Sequence, residues 1–214
     1  MTETVELYWS FRSPYCYLAL DRVIALAKRD DVELALRHVW PGAMRRERYF
    51  SHLHPNYPTY HRMDTVRLAE QLGVPYGRPR PDPLKFDKET REPAAEQPHI
   101  GRLTRMGVLT AEAGSGLAFL DHVMRLIWSG TVDGWDQGPH LSRAIAGAGL
   151  DAEDLEARQA AERARLDAEI DANGAALEAA GHWGVPCFVL GGEPFFGQDR
   201  LDLLTWRLGQ RAAG

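Results

Sequence analysis

The sequence predicts an α/β fold, in which a four-stranded mixed sheet is interrupted by a large all-helical insertion. Segments of alternating apolar and polar residues, rich in β-formers, lie near both ends of the chain, and an Ala/Glu/Arg/Leu-rich helical pattern lies between them. Neither end contains enough strands for a complete sheet, so both ends must contribute to one sheet. We therefore predict a sheet-forming unit from residues 1–38 and 185–214, and a helical insertion of residues 39–184.

The N-terminal segment predicts a strand, a helix and a second strand. Residues 4–9 alternate as a strand does, and residues 32–38 do so again. Between them, Pro14 suits the first position of a helix and Ser13 suits its N-cap. Apolar residues then recur at helical spacing until about Asp30. The helix therefore connects two parallel strands.

The middle of the chain predicts a block of helices. Residues 39–62 are rich in Pro, His, Tyr and Arg and predict no regular element. In residues 77–83, Arg and Pro alternate, as is typical of an extended linker. Helical patterns cover residues 64–72, 92–113, 115–129, part of 133–150 and 151–180.

The C-terminal segment predicts a hairpin and a final helix. Two apolar runs, 185–190 and 193–196, flank Gly191 and Gly192, a pair that suits a tight turn with positive φ. Asp199 suits the N-cap of a helix that continues to about Arg211.

Composition excludes several classes of protein. The 214 residues carry a formal net charge of −5, with 44% hydrophobic and 26% charged residues, which is typical of a globular chain with a core. The mild acidity argues against a nucleic-acid-binding protein, and no apolar run reaches the length of a membrane span. Because the first residues lack the basic and apolar regions of a secretory signal, we expect a cytoplasmic protein.

The cysteines and histidines predict no metal site. The chain has two cysteines, Cys16 and Cys187, too few for a disulfide framework or a zinc ribbon. One cluster in the irregular stretch is interpreted as solvated loop side chains rather than as metal ligands: His52, His54, His61 and Asp64.

Three features are candidate parts of one ligand site. Ser13 begins a helix directly after a strand, and ligands of open α/β sheets bind beyond the carboxyl ends of strands, where a helix N-terminus offers free N–H groups. Pro186 stands at the start of a late strand, and Asp199, which could receive an ammonium group, stands at the start of the final helix. Taken alone, each residue also fits a plain structural role, as a cap or a strand start.

Together these features resemble the motifs of a known family. The matching stretches are Phe-Arg-Ser-Pro-Tyr-Cys-Tyr-Leu at 11–18, Gly-Val-Pro at 184–186 and Phe-Phe-Gly-Gln-Asp-Arg-Leu at 195–201. In order and context they resemble the 2-hydroxychromene-2-carboxylate isomerases and kappa-class glutathione transferases of the thioredoxin-like superfamily. The resemblance implies a thioredoxin-like fold with a helical insertion over nearly the whole chain, and it implies a homodimer.

The resemblance also implies that glutathione is the cofactor. Ser13 would hydrogen-bond the glutathione sulfur. The backbone of Val185, before a cis Pro186, would pair with the cysteinyl part. Asp199, helped by Gln198, would hold the γ-glutamyl end.

The implied function is a glutathione-dependent isomerase of the 2-hydroxychromene-2-carboxylate type, in which a thiolate adds reversibly to an unsaturated aromatic acid. A free thiol is only about 3% thiolate at pH 7, and lowering its pKa by about 1.5 units needs roughly 2 kcal/mol. A hydroxyl hydrogen bond and a helix N-terminus supply energy of that order.

The sequence departs from the family after the second strand. Better-known members have a lysine and an asparagine there, at positions that meet substrate and glutathione. The candidates to replace them are Arg45 or Arg46 for the lysine and Asn56 for the asparagine. Core packing is the favoured interpretation of each tryptophan. A set of aromatic residues could also form the walls of a pocket for a flat substrate: Phe11, Tyr15, Trp128, Trp135 and Trp183.

Three alternative functions remain. A kappa-like glutathione transferase would use the same site for conjugation. A thiol–disulfide oxidoreductase would use Cys16, with or without contact to Cys187, but Ser13 stands where a Cys-x-x-Cys motif has its attacking cysteine. Two small buried core residues are therefore the favoured interpretation of the cysteines. A non-catalytic binding module would use the helical block to recognise a partner.

Overall fold

The sheet combines strands from the two ends of the chain. The structure is a computed structural model that describes residues 2–90 and 92–212. Its strands are β1 (Glu3–Trp9), β2 (Val32–His38), β3 (Cys187–Leu190) and β4 (Glu193–Phe196). Their order is β2-β1-β3-β4, and β1 is parallel to β2 and antiparallel to β3, which pairs antiparallel with β4. The predicted four-stranded mixed sheet is confirmed.

Helices make up most of the remaining chain. In order they are α1 (Pro14–Leu26), α2 (Gly42–Arg45), α3 (Tyr57–Leu72), α4 (Ile100–Glu112), α5 (Gly116–Trp128), α6 (His140–Gly147), α7 (Ala152–Ala161), α8 (Arg163–Ala179) and α9 (Leu201–Ala212). The helical insertion between β2 and β3 is confirmed. The division into two units stays a prediction, and its outermost residues, Met1, Ala213 and Gly214, lie outside the described residues.

Some predicted helix boundaries are wrong. Helix α3 begins at Tyr57 rather than Asp64, because Pro58 lies in the first turn, where a helix needs no N–H donor. Helix α4 begins at Ile100, whereas the predicted helical pattern begins at residue 92. The predicted helix over 151–180 is two helices, because the chain leaves helical geometry at Glu162 (ψ 14°).

The end of the hairpin also differs from the prediction. The turn at Gly191 and Gly192 has φ of 57° and 84°, as expected for a tight hairpin. Asp199, however, is not a helix N-cap. It lies inside a short 3₁₀ turn, Gln198–Arg200, which follows Gly197 and leads directly into α9.

The two faces of the sheet contact different clusters of apolar residues. On one face, Val5, Leu7 and Trp9 of β1 belong to the main core, with side chains from α1, α4, α5 and α9. On the other face, Tyr8 packs with Cys187 and a small group that includes Leu177 of α8. Within the described residues, no helix is long and apolar enough to cross a membrane.

Candidate functional site

Ser13 joins the start of α1 to the loop before β3. Its backbone is extended (φ −91°, ψ 116°), and its Oγ accepts the Cys16 N–H at 3.2 Å, so it caps the helix as predicted. The same hydroxyl donates to the Val185 carbonyl at 3.3 Å. Ser13 is half-buried, and its side chain lies at the N-terminus of α1, where the positive end of the helix dipole is.

The loop before β3 connects the second motif to the third. The Val185–Pro186 peptide bond is cis, and Pro186 is buried. The Pro186 carbonyl accepts the N–H of Gly197 at 2.9 Å. The two hydrogen bonds, from Ser13 to Val185 and from Gly197 to Pro186, therefore bring three segments together that are far apart in the sequence.

Asp199 lies exposed on the tight turn after β4. Gly197 has a φ of 106°, and a Cβ at this position would lie 2.5 Å from Asp199 Oδ1, so the turn requires glycine. Asp199 Oδ2 accepts a hydrogen bond from Arg200 Nη1 at 2.7 Å, and the Asp199 side chain is 59% exposed. The carboxylate is thus exposed while paired with Arg200, and its contact with a ligand stays a prediction.

Gln198 occupies a different environment from its neighbour. It is buried, and its amide oxygen accepts a hydrogen bond from Arg22 of α1. Gln198 and Arg22 therefore tie the Asp199 turn to α1. A direct contact between Gln198 and a ligand stays a prediction.

Arg45 and Arg46 lie against the segment that leads to the loop before β3. Arg45 is nearly buried, and it donates to the carbonyls of Trp40 at 2.9 Å and Trp183 at 2.5 Å. Arg46 lies over the Trp183 ring at 5.0 Å and near Glu178 at 3.7 Å, with its side chain 43% exposed. Arg46 thus has more surface open to a ligand than Arg45. Contact of either arginine with a substrate stays a prediction.

Neither cysteine is placed for chemistry. Cys16 lies in the main core and Cys187 in the small cluster on the opposite face of the sheet, and both are free and buried. Burial raises the pKa of Cys16 to about 12 and that of Cys187 to about 11. The two cysteines are therefore separate core residues and not a redox pair. Among the described residues, no group of His, Cys, Asp and Glu is arranged to hold a metal ion.

Comparison with known proteins identifies the family of the fold. A family model described as a DsbA-like thioredoxin domain matches residues 4–209, nearly the full length of the chain. The chain belongs to the DsbA-like thioredoxin domain family. A search of curated proteins finds no match.

Several solved structures share the fold of this DsbA-like protein. A 2-hydroxychromene-2-carboxylate isomerase is 22% identical with a TM-score of 0.68, and the alignment covers 98% of this chain and 96% of that one. A probable DsbA oxidoreductase from Streptomyces coelicolor is 22% identical with a TM-score of 0.66, covering 97% and 89%. The cytosolic disulfide reductase DsbM from Pseudomonas aeruginosa is 20% identical with a TM-score of 0.58, covering 97% and 99%.

Helix α3 of this DsbA-like protein brings polar groups to the start of α1. Tyr15 Oη donates to Asp64 Oδ2 at 2.7 Å, and Asp64 Oδ1 accepts from Arg67 Nε at 3.0 Å. The His61 ring lies edge-on to the Tyr15 ring at 5.3 Å, and burial lowers the pKa of His61, an effect to which nearby arginines add. Asn56, just before α3, is exposed, and its side chain makes no hydrogen bond with a described residue.

Three of the five aromatic candidates for a pocket wall lie in the core, and for the two tryptophans among them this is the favoured interpretation from the sequence. Phe11, Trp128 and Trp135 are buried in the core, and the indole N–H groups of the two tryptophans donate to backbone carbonyls at 2.8 Å. Trp183, in contrast, is 49% exposed beside the loop before β3. Tyr15 is half-buried next to His61, so the aromatic groups near Ser13 come from α1 and α3.

Proposed function

We propose that the protein binds glutathione at Ser13 and uses it as a thiolate cofactor to isomerise an unsaturated aromatic acid, as a 2-hydroxychromene-2-carboxylate isomerase does. The observation that carries the proposal is the position of Ser13 Oγ, at the N-terminus of α1 and 3.3 Å from the Val185 carbonyl. When bound, glutathione would supply a thiolate able to add reversibly to a conjugated double bond and so permit rotation about it.

The hydroxyl of Ser13 fits a role in holding a sulfur anion. A serine hydroxyl has a single proton to donate. In the absence of ligand this proton goes to the Val185 carbonyl over a long 3.3 Å bond. Turning the hydroxyl to the sulfur costs only this long bond, and it frees the Val185 carbonyl to accept a peptide N–H from the ligand. The N-terminus of α1 adds its positive potential at the same place.

The exposed carboxylate of Asp199 fits the ammonium group of the γ-glutamyl end. It lies on the turn that the Gly197–Pro186 hydrogen bond connects to the loop before β3. Gln198, which accepts a hydrogen bond from Arg22, would keep this turn in place. The similar fold of DsbM from Pseudomonas aeruginosa with GSH, which is 19% identical with a TM-score of 0.57, supports glutathione as the ligand.

Groups suited to an aromatic acid lie on the helical side of Ser13. Tyr15 and His61 would offer ring edges to a flat substrate. The exposed guanidinium of Arg46 and the side chain of Asn56 remain candidates for polar contacts, whereas Arg45 is nearly buried and donates from Nε and Nη2 to backbone carbonyls. A homodimer and a cytoplasmic location stay predictions.

The burial of Cys16 weighs against a thiol–disulfide oxidoreductase. A thiol with a pKa near 12 is protonated at neutral pH, and it is the thiolate that attacks disulfides. A kappa-like transferase would use the same groups as the isomerase, with glutathione consumed as a substrate. A binding module would show neither reaction.

Calorimetric titration with glutathione tests the binding site. We expect wild-type protein to bind and Ser13→Ala to bind about ten-fold more weakly, since the sulfur loses its only hydroxyl donor. The thiolate absorbance of the bound tripeptide should also fall in Ser13→Ala. Ser142→Ala, an exposed serine on α6, is the matched control and should behave as wild type. If wild-type protein releases no heat with glutathione, the proposal is wrong.

Thiol consumption separates the candidate reactions. With an unsaturated aromatic acid in excess over glutathione, an isomerase leaves the free thiol concentration unchanged while the substrate spectrum changes. A transferase consumes one thiol for each molecule of product. Binding without either change would favour the binding module and contradict the proposed reaction.

A further inference from the structure

The segment before Val185 contains a histidine whose interactions fix the loop. His182 Nδ1 accepts the N–H of Gly184 at 2.9 Å. The imidazole lies between two other rings, with centroid distances of 4.0 Å to Phe196 and 4.5 Å to Trp183 and with both pairs stacked. The ring and the bond together fix the backbone directly before the carbonyl that accepts the Ser13 hydroxyl.

Gly184 has no space for a side chain beneath this stack. A Cβ at Gly184 would lie 2.4 Å from Phe196 Cε2 and 3.1 Å from His182 Cε1. The backbone of Gly184 can therefore approach the imidazole closely enough for its N–H to reach Nδ1. Two independent features therefore fix the backbone just before Val185. They are the hydrogen bond from Gly184 to His182 and the close packing of Gly184 against the stacked rings.

Protonation of His182 would remove this interaction. A doubly protonated imidazolium donates from both nitrogens and has no lone pair left to accept the Gly184 N–H. Burial lowers the pKa of His182, and Arg46 lowers it further, so the ring is neutral at pH 7.

The charged groups around His182 also favour the neutral ring. Arg46 covers the far face of Trp183, and Arg45 donates to the Trp183 carbonyl. Glu178 of α8 lies 3.8 Å from Arg45 and 3.7 Å from Arg46 and offsets part of their charge. From β4, the group packed against the ring is the uncharged Phe196.

We propose that His182 is a positioning residue of the glutathione site: its neutral imidazole accepts the Gly184 N–H and holds the Val185 carbonyl beside Ser13, so that protonation of His182 weakens glutathione binding. The inference rests on the proposed function, because it takes Val185 as part of that site. His182 touches neither the sulfur nor the substrate in this role.

Two variants separate the hydrogen bond from the stacking. In His182→Asn the side-chain oxygen can accept the N–H two residues later, as asparagine does in an Asx-turn, but it does not titrate. In His182→Phe the ring can still stack between Phe196 and Trp183, but it offers no acceptor. If the bond matters, the asparagine variant resembles the wild type at neutral pH and the phenylalanine variant does not.

The ligand for the binding test is S-methylglutathione, which has no thiol to titrate. At pH 7 we expect His182→Asn to bind within about two-fold of wild type and His182→Phe to bind about five-fold more weakly, the loss of one hydrogen bond. As the pH falls below the pKa of His182, which burial lowers from its ordinary value, wild type should weaken by up to about five-fold relative to both variants, in which position 182 does not titrate. Any titration of the ligand is common to all three proteins.

A second readout needs no ligand. In the free protein, the amide proton of Gly184 should shift with pH at the same midpoint as the His182 ring, as followed by NMR. A Gly184 amide that does not respond to this titration overturns the inference. So does a pH profile of binding that is the same in wild type and His182→Asn. In both cases glutathione binding itself, and so the proposed function, would stand. No binding to wild type at any pH would overturn both.

Discussion

Cys16 is the residue whose environment most clearly separates the two kinds of chemistry open to this fold. It follows Ser13 at the spacing of a Cys-x-x-Cys motif, but its side chain points into the main core and is fully buried. Burial raises the pKa of the thiol to about 12, although the Ser10 backbone and the Ser13 side chain partly offset this increase. At this position, Cys16 packs as a small apolar group.

We predict that a disulfide reagent modifies neither cysteine of the native protein and both cysteines after denaturation. Cys16→Ala should cost about 1 kcal/mol of stability and leave glutathione affinity within about two-fold of wild type, since the backbone N–H that Ser13 accepts is unchanged. Cys187→Ala serves as the matched control. Fast reaction of native Cys16, or a disulfide reductase activity that Cys16→Ala abolishes, would contradict this account.

The sequence identifies some site residues and misses others for a physical reason. Ser13 directly precedes Pro14 and Asp199 follows Gly197 by two positions, and the backbone requirements of proline and glycine mark the local turns. Arg22 and His61 have no such signal. Arg22 is a charged residue on a helix, and its partner, Gln198, is 176 positions away in the sequence. The proximity of His61 to Tyr15 depends on the packing of α3 against α1, which the local sequence does not indicate.

At the scale of elements, the turn between β4 and α9 determines where the Asp199 carboxylate lies. Gly197 has a φ of 106°, which residues other than glycine rarely adopt. A Cβ at this position would contact Asp199 Oδ1. The N–H of Gly197 also donates to Pro186, so the same residue fixes the turn to the loop before β3. A change here should therefore affect both parts of the proposed glutathione site.

We expect Gly197→Ala to weaken glutathione binding about ten-fold and to destabilise the fold by about 1–3 kcal/mol, from backbone strain together with the clash against Asp199. Gly192→Ala is the matched control. It also has a positive φ, of 84°, but no atom lies within 4 Å of the added Cβ. It should lose stability but keep its affinity in calorimetric titration. Equal loss of affinity in both variants would contradict the role of the turn.

Element boundaries follow from the sequence only where a residue marks them. The first helix begins at Pro14 after the Ser13 cap, and the hairpin turns at two glycines, as predicted. The break at Glu162 has neither glycine nor proline, and its neighbours are good helix formers, so local propensity alone predicts a continuous helix. Both α7 and α8 pack against α4, a tertiary arrangement that local propensity does not encode.

On the scale of the whole molecule, the core includes a buried histidine that couples stability to pH. His38, at the end of β2, is 1% exposed and stacks on Phe11 at 5.3 Å, and neither ring nitrogen has a partner among the described residues. Burial lowers the pKa of His38 to about 3. Below about pH 6.5 the unfolded chain therefore binds a proton that the native state does not, and stability falls as pH falls from about 6.5 towards 3.

We predict that His38 accounts for about 2 kcal/mol of the stability lost between pH 7 and pH 5. Urea unfolding of His38→Leu at the two pH values should show a loss smaller by that amount than wild type. The matched control, His52→Leu, alters an exposed histidine and should follow wild type. Equal losses in wild type and His38→Leu would show that the ring is protonated or hydrated in the native core.

The position of the glutathione sulfur decides whether Ser13 holds the thiolate. A crystal structure of the protein with glutathione should place the sulfur within hydrogen-bonding distance of Ser13 Oγ, with the cysteinyl backbone paired to Val185. The bond from Ser13 to the Val185 carbonyl, 3.3 Å long in the free protein, should be replaced by these contacts. A tripeptide bound elsewhere, with the bond between Ser13 and Val185 intact, would contradict the account.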